Sequence, residues 1–160
     1  MRGAFDEDIS RRLVRAIHLP RWADEDWPEP MEVNVIYTGA RGTKAALRTA
    51  GMLAHGLHVR INLMVAQAVP YSLPLSHPAV PTGWMERRLT ELAGQGLQGP
   101  VETRIYLYLC REARAAILKA LRPASIVVVG GQKHWWRSRE QRLAANLKAC
   151  GHQVIFACAT

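Results

Sequence analysis

The sequence predicts an α/β fold, in which a mostly parallel, doubly wound, five-stranded sheet lies between two layers of helices. Segments with strand and helix patterns alternate from Glu32 to the end of the 160-residue chain, in the order βαβαβαβαβ. Such alternation requires right-handed crossovers and places helices on both faces of a parallel sheet. The run 125–129, Ser-Ile-Val-Val-Val, is almost entirely apolar, as expected for a strand that is covered on both faces.

The first half of this regular region contains two strands and two helices. Residues 33–37 are a short β-type run, and Thr43 is the predicted N-cap of a helix with apolar residues at three- and four-residue spacing. The next strand is predicted over 59–69. A proline-rich loop then leads to a second helix, which is predicted to begin at Pro81.

The second half repeats the alternation. Residues 100–110 alternate between apolar and polar side chains, a period of two that indicates a strand in an outer position of the sheet. A helix is predicted over 111–121. Ser138, with Gln three residues later, forms a capping box for the last helix, Gly151 is predicted to end that helix, and the final strand covers 153–158.

Residues 1–31 are predicted to be an N-terminal extension of the domain formed by residues 32–160. Ile9, Leu13 and Ile17 recur at four-residue spacing, which predicts a short helix in the extension. The remainder is rich in prolines and acidic residues, which break regular structure. Two alternatives stay open for it, namely packing on the domain through its tryptophans and disorder.

The composition restricts the class of protein. The net charge is +8, divided into −2 over residues 1–30 and +10 over the rest, so the body of the domain would attract phosphate-bearing partners. No apolar run reaches the roughly 18 residues that a membrane span requires, and the acidic start does not resemble a secretory signal. The three cysteines are predicted to be reduced and to pack in the core of a cytoplasmic protein.

Two loops carry the residues best suited to binding a ligand. In open α/β sheets, ligands bind beyond the carboxyl ends of the strands, where the strand order reverses. Residues 38–44 follow the first strand and residues 130–138 follow the fourth, and both combine glycines and cations with the start of a helix. Neither contains a Walker-type or dinucleotide-binding glycine motif. His134 has no orienting partner in the sequence, and the adjacent tryptophans are interpreted as packing residues.

The βαβαβαβαβ order, the Val-Ile-Tyr-Thr-Gly end of the first strand, the Val-Val-Val-Gly turn and the closing strand resemble the universal stress proteins over residues 32–160. In nucleotide-binding members of that family, an Asp ends the first strand and helps to hold adenosine. The family's phosphate loop begins G-x-x-G after the fourth strand and later carries G-[ST]. Here Thr38 replaces the Asp, Gly130 and Ser138 match the outer positions, and Lys133 and Arg137 replace the second and third glycines.

The resemblance implies a degenerate site for an adenine nucleotide such as ATP or AMP. Side chains at positions built for close backbone approach occupy volume that the phosphates need, whereas their cations could contact phosphate through charge. No cofactor is therefore required, and any binding of ATP would be weak. The residues that would form the site are Thr38, Gly39, Gly130, Gly131, Lys133, Arg137 and Ser138.

The resulting expectation is a cytoplasmic regulatory or binding module without catalytic activity, resembling a universal stress protein and forming a homodimer through its C-terminal strand. One alternative is a nucleotide-dependent enzyme of the adenine nucleotide α-hydrolase type, whose pyrophosphate loop is not found after the first strand. The other is a basic nucleic-acid-binding protein, for which no reading helix or RNA-binding signature is present. No membrane partner is expected.

Overall fold

The computed structural model describes residues 9–17, 28–99, 101–133 and 137–160, with the backbone alone for 12–17. These residues form six strands and four helices. The strands are β1 (Ile9–Ile17), β2 (Met31–Ile36), β3 (Val59–Ala68), β4 (Glu102–Cys110), β5 (Ile126–Gly131) and β6 (Gln153–Cys158). The helices are α1 (Ala40–Ala54), α2 (Thr82–Gly96), α3 (Ala113–Ala120) and α4 (Arg139–Ala149).

The strands form one mixed sheet in the order β1-β4-β3-β2-β5-β6. All neighbouring pairs from β4 to β6 are parallel, whereas β1 pairs antiparallel with β4. The predicted α/β class and the mostly parallel sheet are confirmed, but the predicted count of five strands is wrong. The chain runs outward from β2 to β3 and β4 and then returns to β5 and β6, so the strand order reverses between β2 and β5.

The strand that the sequence did not predict is β1. It lies where a helix is predicted, so the helix prediction over residues 9–17 is wrong. Ile9 pairs with Cys110 and Ile17 with Thr103, with a register shift between Leu13 and Arg15. Without β1, the outer edge of β4 would present a row of unpaired N–H and C=O groups. Pairing with β1 gives the backbone groups along that edge their hydrogen-bond partners. The stabilisation from this pairing exceeds a local helical preference that rests on three apolar side chains.

Helices cover both faces of the sheet. On one face, α1 and α2 contribute Ala46, Leu47 and Leu89 to a buried cluster, and on the other Ile117 of α3 and Leu147 of α4 belong to a second cluster. The inner strand β5 supplies both clusters, since Val128 packs with the first and Val127 and Val129 with the second, all at 0% exposure. The prediction of a strand covered on both faces is therefore confirmed.

The ends of the helices agree with their sequence signals, with one exception. Ser138 caps α4, because its hydroxyl accepts from the Gln141 N–H at 3.2 Å while its own N–H donates to Gln141 Oε1 at 3.0 Å. Gly151 follows α4 with φ +89°, and its N–H bonds to the Lys148 carbonyl. The predicted cap Thr43 instead lies inside α1, whose N-cap is Gly39. None of the four helices in the described segments has the length and apolar character needed to cross a membrane.

Candidate functional site

The two loops that the sequence singles out meet at the reversal of strand order. Thr38 lies two residues after β2, and Gly130 is the penultimate residue of β5, the parallel neighbour of β2. The Thr38 hydroxyl donates a hydrogen bond to the Gly130 carbonyl oxygen at 2.6 Å. The structure thus brings Thr38, Gly39, Gly130 and Gly131 together at the edge of the sheet where open α/β folds bind ligands.

A second hydrogen bond fixes the chain between β2 and α1. The Thr38 N–H donates to the Thr43 hydroxyl at 3.1 Å, and Thr43 is completely buried. The Thr43 N–H in turn donates to the carbonyl of Gly39, the first bond of the helix, at 2.9 Å. Gly39 has φ +115°, a conformation that disfavours any side chain and that turns the chain from strand into helix. Thr43 therefore stabilises the entry to the helix from inside its first turn.

The first turn of α1 lies in direct backbone contact with the end of β5. A Cβ atom on Gly42 would come within 2.5 Å of both the Gly130 carbonyl oxygen and the Thr38 hydroxyl. A Cβ atom on Gly130 would overlap the Gly42 carbonyl. The lack of side chains at Gly42 and Gly130 thus allows α1 to pack directly against β5. The resemblance predicts instead that Gly130 approaches a phosphate at this place.

The second loop is also anchored by packing contacts. A Cβ atom on Gly131 would lie 2.9 Å from Cβ of Glu140 and 3.1 Å from Cζ of Phe156, so this glycine lets the first turn of α4 approach the sheet. Ser138 uses its hydroxyl oxygen in the capping box. Lys133 and Arg137 are exposed. His134, Trp135 and Trp136 lie outside the described residues.

A basic groove adjoins the crevice and was not predicted as a unit from the sequence. Arg41, Lys44 and Arg48 of α1 line it together with the C-terminal residues Cys158 to Thr160, and its volume is about 450 Å³. The spacing of three and four residues places all three cations on one side of α1. The i, i+3, i+7 pattern of basic residues is the signal from which the groove could have been inferred.

The cysteines differ in their surroundings. Cys110 is buried, and burial, followed by the negative charge of Glu112, raises the pKa of its thiol. Cys150 and Cys158 are exposed, so the prediction that all three cysteines pack in the core is correct for Cys110 alone. Cys150 lies at the C-cap of α4 rather than on its buried side, and Cys158 is the last residue of the outer strand β6.

No protein-family model matches the chain, and no curated protein matches it. Among the described residues, no group of three or more His, Cys, Asp or Glu side chains is arranged to hold a metal ion.

Proposed function

We propose that the chain is a non-catalytic regulatory or binding module on the plan of the universal stress proteins, whose nucleotide site no longer holds ATP in the manner of that family. The observation that carries this proposal is the hydrogen bond from the Thr38 hydroxyl to the Gly130 carbonyl. The Asp that Thr38 replaces would present an acceptor to a ligand. The Thr38 hydroxyl instead donates its hydrogen bond to the backbone of the protein, and no carboxylate is present at this position.

The contact between Gly42 and Gly130 supports the same conclusion. On the side of Gly130 where a side chain would project, the Gly42 carbonyl fills the space that a phosphate oxygen would need. That carbonyl is a hydrogen-bond acceptor, which repels phosphate oxygens rather than binding them. The glycines of this crevice are thus better suited to joining α1 to β5 than to holding a triphosphate.

Phosphate-bearing ligands would be attracted instead by side-chain cations around the crevice. Lys133 and Arg137 are exposed after β5, and Arg41 is exposed in the first turn of α1. Exposed cations contact phosphate without a shaped backbone nest, so the resulting affinity is modest and falls as salt screens the charges. This design suits a scaffold or a weak sensor better than an ATPase.

A homodimer formed through β6 is the second part of the proposal. Among the described strands, β6 pairs with β5 alone and ends the sheet order. An edge of this kind presents unpaired backbone groups, and Val154, Ile155 and Phe156 are only half-buried along it. Addition of the same strand from a second copy would satisfy these groups and produce a continuous sheet.

Isothermal titration with ATP, at low and at physiological salt, tests the proposal. We expect no binding at physiological salt and at most weak binding at low salt, which Lys133→Ala and Arg41→Ala would weaken. Arg87→Ala provides the control, because Arg87 is an exposed cation on α2. Micromolar or tighter binding that survives physiological salt would contradict the proposal.

A further inference from the structure

Three neighbouring strands carry polar residues in matching positions on the face that α3 and α4 cover. Glu32, Arg60 and Glu102 are direct neighbours across β2, β3 and β4. Two residues further along the same strands, Asn34, Asn62 and Arg104 form a second row. We call these two rows the polar rows. Beyond them the same face becomes apolar, with Ile36 and Met64 in the buried cluster.

Ion pairs hold the first of the polar rows. The Arg60 guanidinium bonds to Glu102 at 2.6 Å and lies 3.4 Å from Glu32, and Arg104 lies 3.3 Å from the same Glu102 carboxylate. Burial lowers the pKa of Arg60, but the bonds to Glu102 and Glu32 outweigh burial and raise it. The row is therefore a fixed electrostatic frame whose side chains keep their positions before any ligand arrives.

The second row contains an unsatisfied acceptor. Asn34 Nδ2 donates to the Ile126 carbonyl at 3.2 Å, and Asn62 Nδ2 donates to Asn34 Oδ1 at 3.2 Å. Asn62 is only 7% exposed, yet its Oδ1 accepts no hydrogen bond from any residue in the described ranges. Buried amide oxygens almost always have a donor, because an unpaired one loses its hydration without compensation.

Every residue of the polar rows except Glu102 lines a cleft of about 440 Å³, a volume in the range of small-molecule sites. Arg122 and Ser125, which precede β5, line one side of the cleft, and Arg11 of β1 lines another, where its guanidinium lies 5.2 Å from the Tyr106 ring centre. Of the thirteen lining residues, only two are apolar. A lining of this kind is poorly suited to a lipid, and it favours a ligand with many hydroxyl groups.

The charges on the lining define the ligand further. Four arginines and two glutamates line the cleft, an excess of two positive charges. Arg60 already forms ion pairs with two carboxylates. Arg104 shares the Glu102 carboxylate with Arg60, and its side chain is 36% exposed. Arg104 and the exposed Arg122 therefore remain to contact an anionic group, while Asn62 Oδ1 requires a hydroxyl or amine donor.

We propose that this cleft binds a small polyhydroxylated anion, either a sugar phosphate or a sugar acid. Its hydroxyl groups would donate to Asn62 Oδ1, and its phosphate or carboxylate would bind Arg104 and Arg122. The cleft lies at the amino ends of the parallel strands, whereas the Thr38–Gly130 crevice lies at their carboxyl ends. The two sites are separate, and the cleft does not depend on the function proposed for the crevice.

Heteronuclear NMR titration tests the proposal with four probes. D-glucose 6-phosphate and D-gluconate each combine hydroxyls with an anionic group. D-glucose supplies only the hydroxyl half, and inorganic phosphate supplies only the anionic half. We expect at least one of the first two to shift the amide signals of Asn34, Asn62 and Arg104, and to bind at least about tenfold more tightly than either half. Whichever of the two binds more tightly identifies the anionic group.

Asn62→Leu, with Gln67→Leu as the matched control, provides the second test. Both residues lie on β3, both donate one side-chain amide hydrogen bond, and both have a buried carbonyl oxygen without a partner in the described part of the chain. Asn62→Leu should abolish the titration shifts, whereas Gln67→Leu should preserve them. Asn62→Leu should lower the thermal midpoint more than Gln67→Leu, because it removes a buried hydrogen bond to Asn34 rather than an exposed one, so a well-dispersed spectrum must show that each variant is folded.

Three results would overturn the proposal. The first is that no probe shifts the amides of the polar rows. The second is that phosphate or glucose alone binds as tightly as both combined probes, since the two halves would then not be recognised together. The third is that Asn62→Leu binds like the wild type while retaining a well-dispersed spectrum. Shifts confined to Thr38 and Gly130 would count with the first result, because they belong to the crevice.

Discussion

The hydroxyl of Thr38 donates a hydrogen bond across 2.6 Å to the carbonyl oxygen of Gly130, and this bond joins the ends of two strands that are 92 residues apart in sequence. The two residues belong to the two loops that the sequence indicates as ligand-binding. Their contact shows that the ends of these loops are held together by the protein itself.

Thr38→Val should lower the free energy of unfolding by about 1 to 3 kcal/mol, because the partly buried Gly130 carbonyl loses its donor while the shape of the side chain is kept. Urea denaturation measures the loss. Thr90→Val is the control, since the Thr90 hydroxyl bonds only to the Glu86 carbonyl within its own helix. Equal losses of unfolding free energy in the two variants would show that the hydrogen bond between the strand ends contributes no more than a bond within a helix.

Thr38→Asp should be less stable than Thr38→Val at neutral pH, because a carboxylate would face the Gly130 carbonyl oxygen. The protonated carboxyl group can donate to that oxygen, so the deficit of Thr38→Asp relative to Thr38→Val should shrink as the pH falls through about 4. Thermal unfolding from neutral to acidic pH follows this change. A deficit that stays constant over the range would mean that the side chain has turned away from Gly130.

Gly130→Ala should destabilise the protein by about 3 kcal/mol or more, because the added methyl group would overlap the Gly42 carbonyl and force α1 away from β5. Gly94→Ala is the control. Gly94 lies inside α2, where an added Cβ meets nothing within 4 Å, and alanine in a helix should stabilise by up to about 1 kcal/mol. Denaturant titrations of both variants decide the matter, and a Gly130→Ala protein of wild-type stability would refute the close contact.

Val154→Lys should convert the proposed dimer into a monomer, because a charge on an edge strand opposes pairing with a second strand. Sedimentation measurements give the mass in solution, and circular dichroism verifies that the fold is retained. Val80→Lys, at a partly exposed loop position, is the control. A wild-type protein that is monomeric at all concentrations, or a Val154→Lys protein that remains dimeric, would refute assembly through β6.

In the native protein, Cys150 and Cys158 should react with a thiol reagent at neutral pH, whereas Cys110 should react only after unfolding. Burial raises the pKa of Cys110, so its thiolate fraction at neutral pH is small. Colorimetric counting with and without denaturant, repeated on Cys110→Ala, gives the answer, and rapid native modification of Cys110 would contradict its burial.

Much of the fold follows from local signals. The apolar run through Val127 to Val129 predicts a strand that is covered on both faces, and the Ser138 and Gln141 pair predicts the start of α4, because both signals depend on neighbours close in sequence. The four-residue spacing of Ile9, Leu13 and Ile17 misleads for the opposite reason. Their strand is created by the edge of β4, whose residues lie about a hundred positions further along the chain.

The candidate site also combines features that are local in sequence with features that depend on distant residues. Loops with glycines and cations are predictable after β2 and β5, because strand ends and helix starts are local properties of the chain. The packing of Gly42 against Gly130, and the alignment of Asn34, Asn62 and Arg104, become visible only in the folded protein. Contacts between strands depend on register and strand order, and these are set by the packing of the whole sheet rather than by any one segment.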